Sequence, residues 1–295
     1  MLDKIKGALY GVAIGDALGG TTEFMTPFEI KQKYGRLTQI VGGGVWDLQP
    51  GETTDDTAMT IALAKGLLAN PDDPISAIGN EFVKWYKTKP KDVGKTVRLA
   101  LESYLQWSDW EVAAKKAHEL SGGKSAGNGS LMRTLPIALV YQDLQKIEEI
   151  TFRQSKMTHY DPLASEACVI YNRIAYRLLN SDISLSKAIQ VEIEGTRYKS
   201  VLKGKPKVPS DGYVVHTFLW VLHLLLQYST VEEVIIEAAN LGDDSDTVAA
   251  IAGGLVGLYH GYDSIPKMFS DKILVKDQLD FLVHEIYMAR MNQSK

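Results

Sequence analysis

A chain of 295 residues, 45% hydrophobic and 23% charged, is long enough to bury a sizeable core and has the composition of an ordinary soluble globular protein. Its net charge of −4 supplies no basic field for nucleic acid or an anionic membrane, so neither is expected as a partner, and a phosphate-bearing ligand must be met by local donors or bound cations. The one cysteine, Cys168, excludes an intramolecular disulfide and fits a reducing, cytoplasmic setting; between Ala167 and Val169 it reads as a small buried apolar residue.

In chain order, apolar residues at spacings of three and four predict helices over Lys4–Gly20, Asp55–Leu68, Pro74–Lys87, Val93–Trp107, Glu111–Leu120, Asp143–Met157, Pro162–Leu179, Ser184–Glu194, Tyr213–Leu226, Val231–Asn240, Asp246–His260 and Asp277–Met291. Leu37–Val41 is the best strand candidate, and it is brief. Connections such as Asn70–Pro74 and Lys203–Lys207 are short, with no low-complexity tract and no repeat of fixed period. The opening Met1-Leu2-Asp3-Lys4, with Asp16 inside the first apolar stretch, does not read as a secretory leader. Val214–Leu226, the longest apolar stretch, is broken by His216, Thr217 and His223 and is too short to span a bilayer. The simplest reading is one all-α domain covering residues 1–295.

Two helices carry glycine at every fourth position: Gly7, Gly11, Gly15 and Gly19 in the first, and Gly253, Gly257 and Gly261 near the end. An interior glycine costs roughly 1 kcal/mol against alanine, so packing must offset the stripes. Tight helix crossings are the expected compensation. The segment Gly15-Asp16-Ala17-Leu18-Gly19-Gly20 runs into a Thr-rich turn and Glu23, which could bring backbone amides and a carboxylate to a ligand.

Two acidic clusters carry the most chemistry. Thr54-Asp55-Asp56-Thr57 and Asp243-Asp244-Ser245-Asp246-Thr247 each stand where an apolar helical stretch begins. Asp and Thr are good N-cap residues, and capping alone accounts for one such cluster. Capping uses one or two oxygens, however, and each cluster offers more. Carboxylates packed this closely repel, and hard divalent cations take oxygen ligands without His or Cys. If the clusters meet, they suit one or two Mg²⁺ or Mn²⁺ ions, and a pair of ions about 3.5–4 Å apart can polarise oxygens in hydrolysis.

Other motifs are less specific. Gly127-Asn128-Gly129-Ser130 is either a donor-rich turn able to cradle phosphate or a plain loop. Met132 stands where a dinucleotide fingerprint needs its third glycine, and His118 stands where a Walker A loop would begin, so both of those motifs fail. His159, after Thr158 and before Tyr160-Asp161-Pro162, is either structural or a ligand contact. Tyr213 is either a core aromatic or a base-stacking residue. Asp92, before Val93-Gly94, reads by default as an N-cap.

Taken in order, Gly15-Asp16-Ala17-Leu18-Gly19 with Glu23, Pro50 to Thr57, Asp92-Val93-Gly94, Gly127 to Arg133, Thr158-His159, Gly212 to Val215 and Gly242 to Thr247 resemble the ADP-ribosylglycohydrolase family of the dinitrogenase-reductase-activating type over nearly the whole chain. The resemblance implies a compact all-α, single-domain orthogonal helical bundle. It also implies two Mg²⁺ or Mn²⁺ ions held by Thr54, Asp55, Asp56, Asp244, Asp246 and Thr247. The implied activity is release of ADP-ribose from modified protein side chains, arginine first, with serine or O-acetyl-ADP-ribose as alternatives. A non-catalytic ADP-ribose-binding relative is a further alternative. Gly127, Asn128, Gly129 and Ser130 would face the diphosphate or its ribose, His159 would touch the ADP-ribose, and Tyr213 would stack near the adenine. Glu23 and Asp92 would lie near the scissile ribose as acid or base, beside Asp246. Thr53 and His216 depart from the family's usual residues and could tune the pocket for the leaving group. A cytoplasmic monomer acting on ADP-ribosylated protein is the expected setting.

Overall fold

The computed structural model describes residues 1–293. The three- and four-residue apolar spacing winds the chain into α1 (Leu2–Gly19), α2 (Pro27–Tyr34), α3 (Asp55–Ala69), α4 (Ile75–Lys87), α5 (Lys95–Trp107), α6 (Trp110–Leu120), α7 (Pro136–Val140), α8 (Leu144–Lys156), α9 (Pro162–Asn180), α10 (Leu185–Ile193), α11 (Val214–Gln227), α12 (Val231–Ala239), α13 (Ser245–His260), α14 (Lys267–Ser270) and α15 (Lys276–Asn292). Short 3-10 turns at Arg197–Lys203 and Tyr262–Ser264 complete the set. Every helix expected from periodicity forms, with ends within two residues of the expected ones. The fold is all-α, as expected.

Two helices apolar on every side must be buried on every side. All residues from Gly7 to Gly19 in α1 and from Ser245 to Leu258 in α13 are buried. The glycine stripes show how these helices meet. A Cβ on Gly7 would lie 2.2 Å from the Gly257 carbonyl oxygen, one on Gly11 2.0 Å from that of Gly253, and one on Gly15 2.1 Å from that of Ala249. One number rises as the other falls, so the pair is antiparallel, with backbones in direct contact. That contact offsets the propensity cost of the glycines. At the far end of the stripe a Cβ on Gly19 would lie 2.4 Å from Asp246 Cα. The crossing therefore delivers the second acidic cluster to the end of the first helix.

The remaining helices pack around this pair, α12 and α15 directly against it, with α3 against α4, α5 against α6 and α8 against α9. One buried apolar cluster runs through them from Ile5 to Ile286. No helix among the described residues is long and apolar enough to cross a membrane.

The strand expected at Leu37–Val41 does not form. The side chain of Asn240 takes the place of a neighbouring strand: it accepts from the Leu37 N–H at 2.9 Å and donates to the Leu37 carbonyl at 2.8 Å. Only isolated bridges, Gly43 with Leu48 and Gly127 with Tyr213, occur among the described residues. The helix α2 lies outside the periodicity-based expectation. Its signal is local, a Thr26/Glu29 capping box with Pro27 in the first turn.

Candidate active site and metal centre

The N-termini of α3 and α13 meet at the end of α1. Thr247 Oγ1 donates to Asp56 Oδ2 at 3.1 Å, joining the two clusters across 191 positions of sequence. Thr54 Oγ1 lies 3.4 Å from Asp246 Oδ2. The capping alternative does not account for the clusters. Thr54 and Asp244 occupy the N-cap positions, yet neither side chain caps its helix. Asp246 makes a local contact, accepting from the Thr247 N–H at 2.8 Å.

Asp16 organises the first cluster from beneath. Thr54 donates to it through its N–H and its hydroxyl, each at 2.9 Å, and Thr57 through its N–H at 2.9 Å and its hydroxyl at 2.5 Å. The Thr54 hydroxyl is thereby spent on a carboxylate. The second cluster is held by Asn128, whose amide donates to Asp244 Oδ2 at 2.5 Å and to Thr217 Oγ1 at 2.9 Å. The Gly94 N–H donates to Asp55 Oδ2 at 3.0 Å, which ties the loop bearing Asp92 to α3.

A cleft of about 390 Å³ opens over these groups. Glu23, Asp55, Asp92, Gly127, Asn128, Gly129, His159, Asp244, Asp246 and Thr247 of the expected residues line it, joined by Phe24 and Trp46. Thr54 and Asp56 are buried behind that lining. Ser130 is fully buried and does not line the cleft; its hydroxyl pairs with that of Ser155 at 2.9 Å. Tyr213 stands outside the lining, 39% exposed, with its ring edge-on to His216 at 4.8 Å. Its backbone pairs with Gly127, which anchors the Gly127–Gly129 turn.

The electrostatics are those of carboxylates in want of positive charge. Burial pushes Asp16 and Asp244 up to about 6, opposed by the hydroxyl and amide donors around them. Glu23 is pushed up to about 8 by burial, against the Trp46 indole N–H that donates to its Oε2 at 2.5 Å, and with help from Asp244 and Asp55. Asp92 rises to about 10 through burial, then Asp55 and Glu23. Asp55 is raised by burial, and Asp56 and Asp246 are raised well above the usual range by burial and by their acidic neighbours.

These residues fit a divalent cation. Asp56 Oδ1 is buried with no hydrogen-bond partner among the described residues, a costly state for a carboxylate oxygen unless something positive faces it. Oxygens of Glu23, Asp244 and Asp246 all lie within 4.8 Å of one another, close enough to share an ion. The donors are hard oxygens throughout, which suits Mg²⁺ or Mn²⁺ better than softer metals. Glu23 thus groups with the α13 carboxylates as well as facing the cleft.

Several of these residues had weak signals in the sequence. Asp16 lies in Gly15-Asp16-Ala17-Leu18-Gly19, but nothing local marks a carboxylate that four donors converge upon. Trp46 follows the run Gly42-Gly43-Gly44-Val45, which carries no hint of Glu23. Thr57 stands in the first acidic cluster, but its contacts with Asp16 depend on tertiary packing.

The ADP-ribosylglycohydrolase family profile matches residues 1–295. The chain is 35% identical over 277 residues to ADP-ribosyl-[dinitrogen reductase] glycohydrolase of Rhodospirillum rubrum, covering 93% of this chain and 91% of that one. It is 32% identical over 306 residues to ADP-ribosylarginine hydrolase Tri1 of Serratia proteamaculans, covering 98% and 80%. A solved structure described as an ADP-ribosylglycohydrolase-related protein complex superposes with a TM-score of 0.84 at 28% identity, covering 98% of each chain.

Proposed function

We propose, from the premise that this chain belongs to the ADP-ribosylglycohydrolase family, that it is a hydrolase releasing ADP-ribose from modified protein side chains, with arginine the linkage it cleaves. The observation that carries the reading is the convergence of two distant acidic clusters on a cleft, leaving Asp56 Oδ1 buried and unpartnered. The named relatives act on ADP-ribosyl groups, and two of them carry an arginine or dinitrogen-reductase linkage in their names. We propose further that residues 1–295 act as one domain, and that the protein is a cytoplasmic monomer. The lone, buried Cys168 supports a reducing compartment.

Thr54, Asp55, Asp56, Asp244, Asp246 and Thr247, with Glu23 adjoining, would hold two Mg²⁺ or Mn²⁺ ions. Those ions, when bound, supply the positive charge that fixes ribose hydroxyls and reconciles an acidic site with an anionic diphosphate. The chain's own residues do the rest. Asp16 keeps Thr54 and Thr57 in register so that Asp55 faces the cleft with Asp56 behind it. Asn128 aims Asp244 from the opposite wall. Glu23 and Asp92 line the cleft as carboxyls able to hold a proton near neutral pH, placed to move one between attacking water and the departing side chain. Trp46 fixes the orientation of Glu23 Oε2. The Gly127–Gly129 turn and His159 form the wall that would face the rest of ADP-ribose.

The test is ADP-ribose release from an ADP-ribosyl-arginine protein, with and without chelator, beside ADP-ribosyl-serine and O-acetyl-ADP-ribose. Chelator-sensitive release of intact ADP-ribose from arginine supports the reading. Preference for serine or the acetyl ester changes the leaving group and keeps the site. Binding of ADP-ribose without turnover of any substrate, or release indifferent to chelator, overturns it. Asp246→Ala should lose bound metal and turnover together while keeping the helical signal.

A further inference from the structure

We propose that Arg133, acting through the hydroxyl of Thr158, locks His159 in the neutral tautomer that carries its proton on Nε2, and that this Nε2–H donates to an acceptor oxygen of bound ADP-ribose. The second half rests on the hydrolase reading above; the first does not.

Arg133 is a fully buried cation that pairs with no carboxylate among the described residues. Its Nε donates to Gln154 Oε1 at 3.0 Å, its Nη2 donates to the Gln154 carbonyl at 3.1 Å, and its guanidinium lies over the Phe82 ring at 4.4 Å from the centroid. So held, Nη2 also reaches Thr158 Oγ1 at 2.9 Å. A guanidinium offers only donors, so the Thr158 oxygen must accept. Its single proton is then free, and the acceptor in reach is His159 Nδ1 at 2.8 Å. Nδ1 is therefore a lone pair, and the proton of a neutral imidazole sits on Nε2. The reverse arrangement, with Nδ1–H donating to Thr158, would leave the hydroxyl proton with no acceptor in a fully buried spot. The imidazolium is disfavoured as well: burial, then the charge of Arg133, push His159 down to about 3.

The other face of the ring completes the case. Nε2 has no hydrogen-bond partner among the described residues, and His159 lines the cleft. A Cβ on Gly127 would lie 3.3 Å from Nε2, and one on Gly129 3.2 Å from Cε1. Glycine at these positions keeps the turn against the ring without crowding the donor. Arg133 and Thr158 are thus positioning residues, and His159 is the group that touches ligand.

Long-range ¹H–¹⁵N correlation on histidine-labelled protein, without metal or ligand, reads the tautomer directly. The wild type should show an unprotonated Nδ1 and a protonated Nε2 for His159. In Thr158→Val that pattern should be lost, and the KM for ADP-ribosyl-arginine protein and the Kd for ADP-ribose should rise roughly three- to tenfold, as expected for one lost neutral hydrogen bond, with kcat little changed. Thr158→Ser should restore both. A protonated Nδ1 or an imidazolium in the wild type overturns the lock, and that spectrum decides even where the valine variant fails to fold. A changed tautomer with unchanged Kd for ADP-ribose overturns the donation. Absence of turnover on any ADP-ribosyl substrate would strike the hydrolase reading and leave the spectrum to judge the lock on its own.

Discussion

Replacing Gly19 with alanine tests the α1–α13 crossing at the point where it meets the site. The added Cβ would lie 2.4 Å from Asp246 Cα and 2.5 Å from the Ser245 carbonyl oxygen, where ordinary contact begins at 3.4 Å. Both neighbours are backbone, so no side chain can swing aside, and the helices must part by about 1 Å. Overpacking of this kind costs about 1–3 kcal/mol. In domains somewhat smaller than this one, each kcal/mol lowers Tm by roughly 2–4 °C. The same shift carries Asp246, together with Asp244, away from Glu23, and a misplacement of about 1 Å can cost on the order of a hundredfold in rate. Calorimetric Tm, metal titration and turnover should therefore all fall in Gly19→Ala. Gly253→Ala is the control. Its Cβ would lie 2.2 Å from the Gly11 carbonyl oxygen in the same crossing, about 10 Å farther along the helix axis. It should lose comparable stability with a much smaller change in metal affinity. Wild-type Tm and metal affinity in Gly19→Ala would refute the reasoning, and so would equal loss of metal by both variants.

Asp56→Asn removes a buried carboxyl that folding must otherwise desolvate or protonate, while its amide oxygen can still accept from Thr247. Thermal melts should show the chelated variant more stable than chelated wild type, with the stabilisation by added Mg²⁺ or Mn²⁺ lost. The pH dependence has a definite sign. Asp16, Asp244 and Glu23 stand at about 6, about 6 and about 8, above their ordinary 3.8, 3.8 and 4.5, so the folded metal-free protein binds more protons than the unfolded chain. The stability these groups contribute should be greatest below about pH 4, where the unfolded chain is protonated too, and fall as pH rises through 6 towards 8. His159, lowered from 6.5 to about 3, works in the opposite direction only below pH 6.5. The window from pH 6.5 to 8 isolates the carboxylates: Tm of chelated protein should drop across it, and a divalent cation should flatten the drop. A flat chelated profile would contradict the electrostatics. Trp46→Phe removes the N–H that donates to Glu23 Oε2. A hydrogen bond to a charged group contributes about 1.5–3 kcal/mol, so kcat/KM should fall roughly ten- to a hundredfold with the fold intact.

Helices were readable because burial imposes a period, and α1 and α13 announced their crossing through glycines that no isolated helix would tolerate. The paired acidic clusters were readable because their carboxylates exceed what capping can use, and the unspent caps at Thr54 and Asp244 bear that out. What the sequence could not display were approaches fixed only in three dimensions. Asn240 standing in for a strand beside Leu37, Trp46 reaching Glu23, and four donors closing on Asp16 all depend on distant partners. Ser130 belonged to a persuasive Gly-Asn-Gly-Ser run, yet the turn aims Asn128 at Asp244 and sends the serine hydroxyl into the core beside Ser155. Neighbours in a motif need not share a direction.

The bond from Thr247 to Asp56 also sets a timetable for biosynthesis. A ribosome finishes α1 and the start of α3 within the first fifth of the chain, but their carboxylates lack counterparts until residue 247 has left the exit tunnel and α13 has docked. If the clusters hold divalent cations as proposed, nascent and truncated polypeptides would lack a complete ion cage, and those cations would stabilise the finished product alone.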